Sequence, residues 1–122
     1  MDMLSYANAH GMKMREAGRP WEIGKAFDFS APIGPVRHLA DGGAIDSGAI
    51  TLEVNGETRQ QSDIRNLIWS VNEVIANPSI LLALQAGDVA FTGTPEGVGA
   101  VKPGQTIKVG IERLPSLSVR ID

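Results

Sequence analysis

The residues with the clearest chemical potential end an apolar run. In VAFTGTPEGVG, residues 89–99, the aliphatic character stops at Thr92. Three glycines, a proline, two threonines and a glutamate then fall within eight residues. Glycine lets a backbone approach a ligand closely, and unpaired N–H groups in such a turn form a nest for an anion. Thr92, Gly93, Thr94 and Pro95 are therefore candidates for binding an anionic group. A plain strand-to-strand turn with glycines at positive φ is the alternative. A phosphate loop is excluded, because no G-x-x-x-x-G-K-[ST] pattern occurs and no helical segment follows. Lys25 lies between apolar flanks in IGKAFDFS. An ammonium there suits a general acid or a carboxylate clamp; a surface lysine with its stem along apolar neighbours is the competing assignment. His10 and His38 have no histidine or carboxylate four residues away, so both read as surface residues. Asp28 and Asp88 read as turn or strand-end residues. E-x-E occurs nowhere, and local spacing assembles no carboxylate cage for a metal.

These groups need elements to hold them. Met1 to Ala17 is expected to be helical, with Leu4 and Ala7 on one face and a stop at Gly18. Residues 20–36, PWEIGKAFDFSAPIGPV, carry three prolines and read as extended and irregular; RHLADGGAIDSG continues as a loop. In AITLEV, Ile50, Leu52 and Val54 alternate with Thr51 and Glu53, as in a half-buried strand. Asn55-Gly56 predicts a type I′ hairpin with a return strand from Glu57. Ser70 with Glu73 predicts a capping box opening a helix at Val71, which Pro78 should end at Asn77. ILLAL and VAFTG read as buried, the second as a strand, with QAGD as the turn between them. KPGQ is a further turn, Gln105 to Glu112 a strand, and LSVRI a strand with Leu117, Val119 and Ile121 inward.

The 122-residue length suits one domain. At 43% hydrophobic and 20% charged, the composition is globular, and 5% aromatic residues imply an aliphatic core. A net charge of −3 leaves no basic footprint, so nucleic acid is not an expected partner. There is no cysteine, hence neither disulfide scaffold nor thiolate metal site. No apolar run approaches a membrane span and no signal-peptide core opens the chain, so no membrane partner and a cytoplasmic location are expected.

GRPWEIGKAFDFSAPIGPV, LEVNGETRQ and QAGDVAFTGTPEGVGAVKPGQTIKVGIE, in this order, resemble the C-terminal part of the fumarylacetoacetate hydrolase family, nearest its acylpyruvase and oxaloacetate-decarboxylase-like branch. The resemblance covers residues 18–121. It implies a mainly β, α+β fold with short helices, a mixed β-sandwich roll, here incomplete. The domain organisation implied is one partial domain over 1–122, with a divergent helical segment at 1–17 and the family-like roll at 18–122.

The resemblance further implies a Mg²⁺- or Mn²⁺-dependent hydrolase, decarboxylating lyase or isomerase acting on β-dicarbonyl oxo acids of the acylpyruvate or fumarylpyruvate class. Lys25, in G-K-x-F, matches the family's active-site lysine, and Thr94, in T-G-T-P, lies near the substrate carboxylate. The substrate-binding set is Lys25, Thr92, Gly93, Thr94 and Pro95. The family's metal-binding E-x-E is lacking, and Leu4 stands where its third carboxylate would fall, with Asp2 out of register. The chain thus resembles an N-terminally truncated member expected to bind no metal alone, and a homodimer is expected. The other function left open is a catalytically inactive remnant, acting as a weak oxo-acid binder or an oligomerisation module.

Overall fold

The computed structural model of the protein describes residues 11–24 and 26–122. It divides into two compact units, one up to Ile33 and one from Gly34 to Asp122. Most of the expected Met1–Ala17 helix lies outside the described residues; residues 11–16 are helical. The helix stops where expected: Gly18 has φ +63°, and Arg19 N–H donates to the Met14 carbonyl at 2.9 Å. That reversal is the left-handed helix end for which glycine carries no Cβ penalty. A 3₁₀ turn, Glu22–Gly24, is the regular piece of the proline-bearing stretch in this unit.

The second unit is built on one antiparallel sheet. Its strands are β1 (Ala49–Val54), β2 (Glu57–Asp63), β3 (Thr106–Ile111) and β4 (Leu117–Arg120), in spatial order β2-β1-β3-β4. The β1–β2 hairpin turns at Asn55 (φ 51°) and Gly56 (φ 83°), the two positive angles of the expected type I′ turn. Asn55 has a second task. Its backbone N–H donates to the Thr106 carbonyl at 2.9 Å, and its side-chain oxygen accepts from Thr106 N–H at 2.8 Å. The turn residue thereby sets the register of β3 against β1. In β4 the inward Leu117 and Val119 are half-buried and Ser118 and Arg120 exposed, as the alternation requires.

The hairpin register is interrupted. Val54 faces Glu57 and Glu53 faces Thr58, but Leu52 faces Gln60 rather than Arg59. Arg59 is thus the extra residue of a β-bulge, which shifts every later side chain of β2 to the opposite face. Val54 and Gln60 are the buried hydrophobic and buried polar side chains among the described residues, 7% and 8% exposed.

Ser70 opens the helix Val71–Ser79 with the expected capping box: its hydroxyl accepts from Glu73 N–H, and the Glu73 carboxylate accepts from Ser70 N–H at 2.8 Å. The end differs from expectation, since Pro78 lies inside the helix rather than ending it at Asn77. Pro78 removes one donor, but only in the final turn, where side chains and following amides take up the carbonyls. Asn77 Nδ2 donates to the Glu73 carbonyl at 3.0 Å, Ser79 Oγ to Ala76 at 2.7 Å, and Leu82 N–H to Pro78 at 2.8 Å. The preference against helix before proline is outweighed there.

Two further expectations are corrected. ILLAL is exposed, Leu81 to 85%, and VAFTG forms neither strand nor core, with Phe91 66% exposed. Their apolar character demands a cover that the described residues do not supply. The QAGD turn does form, closed by Gln85 N–H donating to Asp88 Oδ2 at 2.8 Å. Among the described residues no helix is long and apolar enough to cross a membrane.

One carboxylate ties the hairpin's open end. Asp63 Oδ1 accepts from Arg65 N–H at 2.9 Å, from Gly48 N–H at 3.1 Å and from Arg65 Nε at 3.0 Å. The Arg65 and then the Gly48 backbone bonds hold its pKa below the ordinary aspartate value. Folded Asp63 therefore binds its proton less tightly than unfolded Asp63. Its stabilisation is fully present above the ordinary aspartate range and is lost as pH falls through the lowered folded-state pKa. Urea midpoints measured from pH 7 downward should decline in that acidic window, and Asp63→Asn should start lower and decline less steeply; parallel curves would rule out this role.

Candidate functional site

Thr92–Gly99 runs as irregular backbone beside β2, and the bulge decides how it docks. Because Arg59 is skipped, Gln60 stands opposite Leu52 and its amide reaches the loop. Gln60 Nε2 donates to Thr94 Oγ1 at 3.1 Å, to the Pro95 carbonyl at 2.8 Å and to the Glu96 carbonyl at 3.3 Å. Thr94 Oγ1 can return its proton to Gln60 Oε1 at 3.4 Å. Thr94 itself remains exposed.

Gly97 completes the attachment. Its φ is +95°, and a Cβ there would collide with the Arg59 carbonyl oxygen. This glycine is required on both counts: a left-handed backbone angle and a close backbone approach to the bulge. Gly93, at φ +100°, has open space where a Cβ would stand, so it serves the chain reversal alone. Thr92, Gly93, Thr94 and Pro95 line a cavity of about 350 Å³ whose lining also includes Ile50 and Ile111. Asp63 also lines it, with its carboxylate engaged as described above.

Of the expected site residues, Thr92, Gly93, Thr94 and Pro95 come together in one loop. Lys25 lies outside the described residues, as do Leu4, Asp2 and His10. Asp88 has the expected turn role. Gln60 was not legible as a site residue. An uninterrupted hairpin from Asn55-Gly56 would set Arg59, not Gln60, opposite Leu52, and no local signal marks the bulge.

Among the described residues no three His, Asp or Glu side chains group so as to hold a metal ion. The donor set available there does not fit such an ion.

An antiparallel sheet with a Thr-Gly-Thr-Pro loop clamped on its bulged strand places the chain in a class that comparison identifies. Residues 5–122 match the model of the fumarylacetoacetate (FAA) hydrolase C-terminal domain, and the chain belongs to that family. A fumarylpyruvate hydrolase from Ralstonia sp. is 39% identical over 127 residues, covering 97% of this chain and 66% of that protein. An oxaloacetate tautomerase of Escherichia coli (strain K12) is 40% identical over 110 residues, covering 89% of this chain and 50% of that protein. The crystal structure of fumarylpyruvate hydrolase from Pseudomonas aeruginosa, in complex with Mn²⁺ and pyruvate, superposes with a TM-score of 0.88 at 54% identity, over 93% of this chain and 49% of that one. The chain thus spans between about half and two thirds of the length of these relatives.

The bulge contact gives a direct test. Gly97→Ala should cost about 1–3 kcal/mol of stability and shift the amide resonances of Arg59 and Gln60. Gly99→Ala, where a Cβ meets open space, is the matched control and should change neither. Equal urea midpoints for the two variants would show that the loop does not dock on the bulge.

Proposed function

We propose that this chain is the C-terminal, ligand-contacting portion of a metal-dependent enzyme that cleaves C–C bonds in, or isomerises, small oxo acids of the acylpyruvate or fumarylpyruvate class. The observation that carries the reading is Thr94, an exposed residue whose hydroxyl a buried amide holds on the sheet in a family-typical loop. The names of the relatives, fumarylpyruvate hydrolase and oxaloacetate tautomerase, support the same substrate class. A threonine hydroxyl donates to one carboxylate oxygen of an oxo acid, and that donation orients the ligand without charge of its own. On motif grounds Lys25 supplies an ammonium toward the same class of ligand. The homologous complex with Mn²⁺ supports a divalent ion, Mn²⁺ or Mg²⁺, as the group that polarises oxo-acid oxygens in the complete enzyme. The residues described here leave that ion to other donors.

With one end of the ligand held, affinity for pyruvate should be weak, with a dissociation constant on the order of millimolar. An NMR titration with pyruvate should move the amides of residues 92–99. Thr94→Val should weaken the response about tenfold, and added Mn²⁺ should leave the affinity unchanged. Shifts confined to other regions would refute the ligand site, and micromolar binding that depends on Mn²⁺ would overturn the expectation that the chain binds no metal alone.

A second reading, a non-catalytic module that acts by association, is favoured by one observation. Ile80, Leu81, Leu82, Val89 and Phe91 are all exposed within a dozen residues. Apolar surface of that extent marks an interface, and the reading assigns it to a homodimer. Sedimentation velocity should then show a mass twice that of the 13.0 kDa chain, with dissociation on Leu81→Lys. A monomer at high micromolar concentration counts decisively against it.

A further inference from the structure

We infer that Gln60 is a positioning residue that biases the Thr94 hydroxyl toward donating outward and so favours a carboxylate. The inference rests on the oxo-acid reading for what it selects, and on geometry for how. The amide's orientation is unambiguous. The carbonyl oxygens of Pro95 and Glu96 can only accept, and both lie within reach of the same nitrogen, at 2.8 and 3.3 Å, so that atom is Nε2. An Nε2 carries two hydrogens and here faces three acceptors, the third being Thr94 Oγ1 at 3.1 Å.

One lone pair of the hydroxyl is thereby occupied by a donor. Its proton has one described alternative, Gln60 Oε1 at 3.4 Å, a long bond and hence a weak one. An incoming carboxylate oxygen is a stronger acceptor and takes the proton in a charge-assisted bond. The hydroxyl gives up little to bind an anion. A ligand group that needs an acceptor finds one of the hydroxyl's two lone pairs already engaged. The rest of the loop is held by the same amide, and Gly97 lets its backbone close against the Arg59 carbonyl. Gln60 is 8% exposed, so water cannot readily replace its bonds, and its removal frees two loop carbonyls together with the hydroxyl.

The experiment is a double-mutant cycle on pyruvate affinity with the whole chain, read by NMR, alongside ¹⁵N relaxation of the Thr94, Glu96 and Gly97 amides. Gln60→Leu should weaken pyruvate binding about tenfold and raise the mobility of those amides. Thr94→Val should weaken binding similarly while leaving the amides ordered, because the two carbonyl bonds persist. Because Gln60 acts through Thr94, the double variant should bind no worse than Thr94→Val alone, a non-additivity that a merely structural contact would not produce. Unchanged affinity in Gln60→Leu, or a further tenfold loss in the double variant, overturns the inference. If Gln60→Leu does not fold, Gln60→Glu replaces it, since at neutral pH a carboxylate of the same shape cannot donate to the carbonyls. If the wild-type chain binds no pyruvate, the oxo-acid reading falls by itself. The relaxation data then decide the role of Gln60: ordered amides in the variant overturn it, and mobile amides uphold it.

Discussion

A single buried amide nitrogen governs the arrangement of the loop that carries the candidate chemistry. Gln60 Nε2 meets Thr94 Oγ1 and the carbonyls of Pro95 and Glu96 from inside the sheet edge. A buried amide left without partners is costly, so the loop must come to it. The amide is available only because β2 bulges at Arg59, which puts Gln60 opposite Leu52. The bulge also leaves the Arg59 carbonyl where only a glycine, Gly97, can pass. Three sequence-distant features, a bulge, an amide and a glycine, are thus one constraint.

The sheet that bears this constraint is fastened mainly at its ends. Asn55 couples the hairpin turn to β3 through both its backbone and its side chain. Asp63 closes the opposite end onto Gly48 and the 3₁₀ turn Ile64–Asn66, and Glu112 Oε2 accepts from Ala49 N–H at 3.2 Å. Polar end-fastening of this kind fixes register without a deep core, which suits a unit whose inward side chains are mostly half-buried. The apolar run from Ile80 to Phe91 stays exposed beside this sheet's polar fastening, with Ile80, Leu81, Leu82, Val89 and Phe91 all open.

Chemically, the arrangement separates holding from reacting. The second unit presents a threonine hydroxyl beside an apolar-walled cavity, which in the proposed reading grips one end of a short acid. It brings no cluster of carboxylates to the same place. In the proposed reading, the described residues hold one end of the ligand and leave a divalent ion to donors outside them.

Local chemistry was legible in the sequence wherever it is self-contained. The Asn55-Gly56 turn, the Ser70–Glu73 capping box, the Gly18 helix stop and the alternation of Leu117 to Ile121 each depend on residues within a few positions of one another. The family motifs likewise pointed to Thr92–Pro95, because glycine and threonine spacing records what a backbone must do at a ligand. Burial was not legible: ILLAL and VAFTG are apolar enough for a core, yet whether a segment is covered depends on what packs against it. Pro78 was misjudged because side chains and following amides, among them Asn77 Nδ2 and Leu82 N–H, satisfy the helix end. Gln60 lay hidden for the strictest reason. A one-residue bulge decides which face a strand presents, and nothing in GETRQQS distinguishes Arg59 as the residue to be skipped. By itself the sequence determined the turns, the caps and the residue types at the candidate site. Only the tertiary structure decided which amide holds them, because register is settled by pairing between strands and not within one.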